Sequence, residues 1–165
     1  MKLNAALIVL GGATIALLGL WALVGDDPSS VWMALGACAM SALAFGFAQS
    51  GPEFKPMAIG FAVFAVAHVI CAFDDELVAI VLSAGLVVVI ITSIVTGIRR
   101  LRDATSTGAA RYLPLVAGCW GVTIPVALAV GGDSAHHTAL IVYGLVWATL
   151  GAVLSTSDTR QPVLV

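Results

Sequence analysis

The sequence predicts an all-α, polytopic membrane protein: six transmembrane helices arranged as three repeated helical hairpins. Three observations carry that prediction. The 165-residue chain is 61% hydrophobic and only 10% charged, where a soluble domain carries about 25% charged residues. Six apolar runs each reach the roughly 17–25 residues that a helix needs to cross a bilayer core about 30 Å thick. The runs do not alternate apolar and polar residues, as the strands of a β-barrel do. The whole chain, 1–165, reads as a single six-helix transmembrane domain.

The stretch from Gly60 to Arg102 shows the design most plainly. Two apolar runs meet at Asp74-Asp75-Glu76, and the second ends on Arg99, Arg100 and Arg102. The first helix is expected over 3–24, after Lys2. Its apolar run is too long for a leader's h-region, and no A-x-A pattern precedes Gly25, so it reads as a retained helix. The turn around Asp26-Asp27-Pro28 stops it, because Pro28 cannot continue a helix, and Ser30 suits the cap of the next.

The second helix, 31–49, is rich in Ala, Gly, Ser and Cys, which let backbones approach closely in lipid. Pro52 and Pro56 mark a tight connection. The third helix, 57–73, is short and carries His68. The fourth, 77–98, is the richest in Val and Ile. In lipid it is helical nonetheless, because its backbone must bond internally. The longest loop, 99–111, follows. The fifth helix, 113–130, contains Pro125, which removes a backbone donor and predicts a kink. A turn through Asp133, His136 and His137 leads to the sixth, 138–155. Cys38, Cys71 and Cys119 lie inside apolar runs without a CxxC pair and read as buried, inert thiols.

Charge predicts the orientation. All seven basic residues fall on one side of this arrangement: Lys2, Lys55, Arg99, Arg100, Arg102, Arg111 and Arg160. Asp26, Asp27, Asp74, Asp75, Glu76 and Asp133 fall on the other. Basic loops stay in the cytoplasm, which puts both termini there in a cell membrane. Trp21 and Trp32 flank the first outer turn and Tyr112 sits at the inner boundary, as interfacial aromatics do.

A repeat register accompanies the three acidic turns. Gly12, Gly60 and Gly118 each lie fifteen residues before an Asp of such a turn, about 22 Å along a helix. Gly36, Gly85 and Gly144 follow the same Asp residues in the even-numbered helices. These six are candidate helix-packing positions around a pseudo-threefold axis.

The three short hairpins, the inner loop IVTGIRRLR, the following RYLPLVAGCWGV and the small-residue helices resemble the HdeD-like family of six-helix bacterial membrane proteins. That resemblance implies a non-enzymatic role in acid and stress tolerance. YLPLVAGCWGVTIP, from Tyr112 to Pro125, is more weakly similar to the last helix of the acid-activated urea and amide channels, the UreI and AmiS families. That likeness implies the alternative of a channel or transporter for a small neutral solute or a proton. A third reading is an accessory subunit of a larger membrane complex.

His68 is the one ionisable side chain well inside a predicted span, and such residues mark function by default. Cys71 and Asp75 follow on the same face. The alternatives are a neutral histidine bonded to a neighbouring helix, a proton-sensitive switch, or a metal ligand. His136 and His137 are further candidates for proton sensing, since free imidazole titrates at about 6.5, and at most one of the two faces inward. Thr92, Ser93 and Thr96 form a hydroxyl patch expected to bond back to helix carbonyls or to a neighbour. No nucleotide loop, zinc-protease helix, serine elbow or paired buried carboxylates occur, so no catalytic residue, metal site or cofactor is assigned. The bilayer is the expected partner, with a homo-oligomer or membrane-complex partner left open and no nucleic acid.

Overall fold

In the computed structural model the described residues are 2–25, 30–73, 78–103 and 108–157. Asp26, Asp27, Pro28, Asp74, Asp75, Glu76, Asp158 and Arg160, on which the turn, repeat and charge expectations partly rest, lie outside them. The described residues are all-α: α1 Leu3–Val24, α2 Ser30–Ala48, α3 Lys55–Cys71, α4 Val78–Arg102, α5 Leu113–Gly121 and α6 Thr123–Ser157. Two short 3₁₀ turns, Pro52–Phe54 and Ala109–Arg111, join them. Among the described residues, five stretches are long and apolar enough to cross a membrane: Leu3–Val24, Ser30–Ala48, Pro52–Cys71, Ile80–Arg102 and Thr123–Thr156. Their outer faces are apolar, with Leu17 65%, Phe45 61%, Ile59 62% and Ile80 72% exposed. A protein that shows lipid rather than water such a surface has the helices of a membrane protein.

The expected fifth and sixth helices divide differently. The helix expected over 113–130 breaks at Val122, between α5 and α6. Pro125 explains it: with no N–H, it leaves the carbonyl four residues back, at Gly121, without its helical partner. The chain tightens there instead, with the Val122 amide bonded to the Cys119 carbonyl at 3.3 Å and the Thr123 hydroxyl to the Trp120 carbonyl at 2.7 Å. The turn expected over 131–137 shrinks to one residue. Gly132 takes φ +70°, a left-handed conformation that costs glycine little, and helix resumes directly after it. His136 and His137 therefore stand on the opening turns of the second arm of α6, not in a loop. At the other end α4 runs on through its three arginines to Arg102, since cations in a last turn complement the helix dipole. α3 starts two residues early, at Lys55, because Pro56 is well placed in a first turn.

The helices form a closed ring. Each packs against the next along the chain, and α6 closes against α1. The closure runs backbone to backbone. A Cβ on Gly12 would stand 2.6 Å from the Gly144 carbonyl and would strike the Ala148 amide. The other four glycines of the register also lie at helix contacts. Gly36 faces the His68 ring, Gly60 faces Thr92, Gly85 faces Phe64 and Gly118 faces Ile94. A threefold axis would send Gly60 to α2 and Gly85 to α5; each faces the other helix of its own hairpin instead.

α1 and α6 run antiparallel, so residues 3 and 157 share one end of the ring, here the terminal end. The hairpin tips occupy the other. In the terminal half the ring is filled by side chains. Phe47, Phe54, Phe61, Met57 and Trp147 are each no more than 1% exposed. Trp147 meets Phe61 edge-on at 5.0 Å and Phe47 at 5.6 Å between ring centroids.

Candidate functional site: an axial chamber

The hairpin half is not filled. A cavity of about 480 Å³ runs down the inside of the ring from Asp133 at the hairpin end to Tyr143 at mid-height. Every long helix contributes a wall residue, among them Ile15, Met40, Phe64, Leu86 and Leu140. The chamber is mainly apolar, with His68, Ser83, Asp133, His136 and Tyr143 as its polar groups.

His68 is 3% exposed. Its Nδ1 lies 2.9 Å from the Phe64 carbonyl one turn back. A carbonyl only accepts, so Nδ1 carries the proton and Nε2 of the neutral ring is left as an acceptor. Nε2 has no hydrogen-bond partner among the described residues. The ring is held between the edge of Phe64, 4.6 Å away, and Trp32, stacked at 6.3 Å. Gly36 leaves room for it: a Cβ there would overlap the imidazole. Trp32 is itself fixed by its indole N–H, which donates to the Leu18 carbonyl at 3.3 Å.

Of the three candidate histidines, His68 and His136 line the chamber and His137 does not. The His136 Nδ1 lies 3.4 Å from the Ile124 carbonyl, and its ring stands 5.6 Å from that of His137. Asp133 shares the wall with both lining histidines. Cys71 turns away, its thiol 4.0 Å from the Val78 carbonyl, and Asp75 lies outside the described residues. No group of three His, Cys, Asp or Glu side chains is set to hold a metal among the described residues. Pro125 both breaks the helix and lines the chamber.

Below the chamber floor the buried hydroxyls behave unexpectedly. Thr92 bonds back to the Val88 and Val89 carbonyls at 2.8 and 3.1 Å. Ser93 and Thr96, both fully buried, do not, and neither Oγ has a partner. The Tyr143 hydroxyl and Trp147 Nε1 are buried too, with no polar group but each other in reach among the described residues. These atoms lie in sequence down one side. Tyr143 abuts Gly121, Ser93 abuts Gly118 about one helical turn lower, and Thr96 follows a turn further along α4. A buried polar group without a partner costs about 1–3 kcal/mol.

The terminal end is sealed. Phe54, carried in by the Pro52–Phe54 turn, lies against Phe47 at 5.7 Å. The Arg100 guanidinium covers Phe54 at 4.7 Å. Arg100 also donates to Glu53 at 3.2 Å and to the Ala110 carbonyl at 3.1 Å. Arg111 donates to the Leu101 carbonyl beside it. The tight connection marked by Pro52 and Pro56 thus carries a plug.

Sequence reasoning singled out His68, His136 and Pro125, read Trp32 only as an interfacial aromatic, and passed over Phe54, Tyr143 and Trp147. One signal was present for the last two: Tyr143 and Trp147 stand four apart on one helix face of a chain only 7% aromatic. No family model, curated protein or solved structure matches the chain.

Proposed function

We propose that this protein is a channel or transporter for a small uncharged solute, with the axial chamber as its binding site. One observation carries the reading: a closed ring of helices surrounds a chamber in one half and an aromatic plug in the other. A purely structural bundle gains nothing from an axial void, since voids forfeit packing contacts. It gains nothing either from unpartnered buried hydroxyls. A passing solute would use both. The chamber would receive it beside His68, the Tyr143, Ser93 and Thr96 hydroxyls would exchange hydrogen bonds with it, and movement of Phe54 and Arg100 would release it. This favours the transport reading over the stress-tolerance role that the HdeD-like resemblance implies. In this reading the hairpin end faces outward and the basic, terminal end faces the cytoplasm, as the positive-inside rule asks.

The test is solute-driven swelling of proteoliposomes, followed by light scattering with a series of uncharged solutes. Faster swelling than in protein-free vesicles, abolished by filling the chamber with Leu140→Trp, is the expected result. Equal rates in protein-bearing and bare vesicles, with Phe54→Ala as well as with the unaltered chain, would remove the proposal.

A further inference from the structure

The chamber wall is incomplete on one side. α5 packs closely along α4, with Gly97 on Leu115, Gly118 on Ile94 and Gly121 on Ile90. Past Gly121 this contact ends. The arm from Thr123 to Gly131, redirected by the Pro125 break, has no comparable close backbone approach to α4. Ser83 lies seven residues before Ile90, two helical turns, and so on the same face of α4. It is the residue that a continued contact would cover, yet it is exposed while lining the chamber. Across the gap, Pro125 and Leu128 are also exposed while lining the chamber, Leu128 at 47%. Residues that face both the outside and the cavity mark an opening, and the outer surface beside it is apolar, as a lipid-facing surface is, with Ile80 72%, Val87 51% and Val126 53% exposed.

The interior carries a matching polarity. His68, Asp133 and His136 lie toward the hairpin end and apolar Met40, Phe64, Leu86 and Leu140 lie below. A molecule resting in one leaflet has the same arrangement, polar end at the interface and apolar body beneath. On the chamber wall His68 Nε2 is an acceptor with no hydrogen-bond partner among the described residues, so it takes a donor.

We infer that the gap between α4 and the first arm of α6 is a lateral portal, through which the chamber takes an uncharged, single-chain amphiphile with a hydrogen-bond-donating head directly from the lipid. The head bonds to His68 Nε2, and the chain lies along Leu86, Met40 and Phe64. This rests on the chamber being the ligand site of the proposed function.

Trp32, in van der Waals reach of the same space, reports occupancy. In proteoliposomes 11-bromoundecanol is titrated into the bilayer, and the bromine quenching of Trp32 is taken as the difference between the full chain and its Trp32→Phe variant. The expected result is a saturable component above the linear rise shared by lipid-facing Trp21. Ser83→Phe and Leu128→Phe, both at exposed positions that tolerate bulk, should each abolish that component, and His68→Phe should weaken it about tenfold. Purely linear quenching overturns the inference. So does saturable quenching that both portal variants leave intact, or stronger binding of a bromoalkyl trimethylammonium than of the alcohol. Failure here with solute swelling intact removes the lipid-phase ligand alone. Failure of swelling with saturable quenching intact removes transport and leaves the portal.

Discussion

Gly12 of α1 and Gly144 of α6 meet face to face, with the Gly144 carbonyl 2.6 Å from the place a Gly12 side chain would occupy. First and last helix are joined through that contact, so two residues 132 positions apart close the ring. Any side chain at either position must push the two backbones apart, because the obstacle is main chain and not a movable side chain.

Gly12→Val or Gly144→Val is therefore expected to destabilise the protein by about 1–3 kcal/mol, the usual cost of overpacking. Denaturation in mixed micelles checks it. The two substitutions act on one contact, so the double variant should cost less than the sum of the singles. Full additivity would place the glycines in separate contacts.

Phe54→Ala removes the centre of the plug. Loss of a buried phenyl ring costs about 3–5 kcal/mol, and the terminal end should open, with solute swelling faster than in the unaltered chain. Arg100→Lys keeps the charge but loses the planar fork that at once covers Phe54 and bonds to Glu53 and Ala110. It should give a smaller increase in swelling.

Ser93→Ala and Thr96→Val test the unpartnered hydroxyls separately from stability. Each removes a buried oxygen that has no partner, so stability should hold or rise by about 1 kcal/mol. Solute passage should fall. A drop in stability with unchanged passage would make these hydroxyls packing elements.

Pro125→Ala returns an N–H to the helix. The amide at position 125 should bond to the Gly121 carbonyl and exchange hydrogen more slowly, and the first arm of α6 should swing toward α4. Hydrogen exchange over residues 119–128 measures the first effect. Unchanged exchange there would mean that tertiary packing holds the break without the proline.

What could be read from the sequence follows from what lipid demands. Span length and backbone satisfaction are local, and α1 and α2 fall within a residue of their expected limits. Pro125 was legible as a distortion, but a lone proline does not say how far the helix beyond it will diverge, so the portal was not. His68 stood out because an ionisable group in an apolar run is conspicuous. Its environment was hidden, because Trp32 and Gly36 come from another helix and read as an interfacial anchor and a packing residue. Phe54 was missed for a related reason: in a Pro-rich connection a single aromatic looks like a surface residue until the ring that it closes is assembled. Gly132 was read as part of a loop because Gly-Gly before Asp and Ser is turn-like, and a one-residue left-handed hinge leaves no separate mark.

The central claim is that solute passes along the ring axis, through the chamber and past Phe54. Swelling rates of proteoliposomes carrying Phe54→Ala alone and Phe54→Ala with Leu140→Trp test it most directly. The account predicts fast swelling with the open plug, returned to the bare-lipid rate when the chamber above it is filled. Equal rates for the two, whether fast or slow, would contradict it.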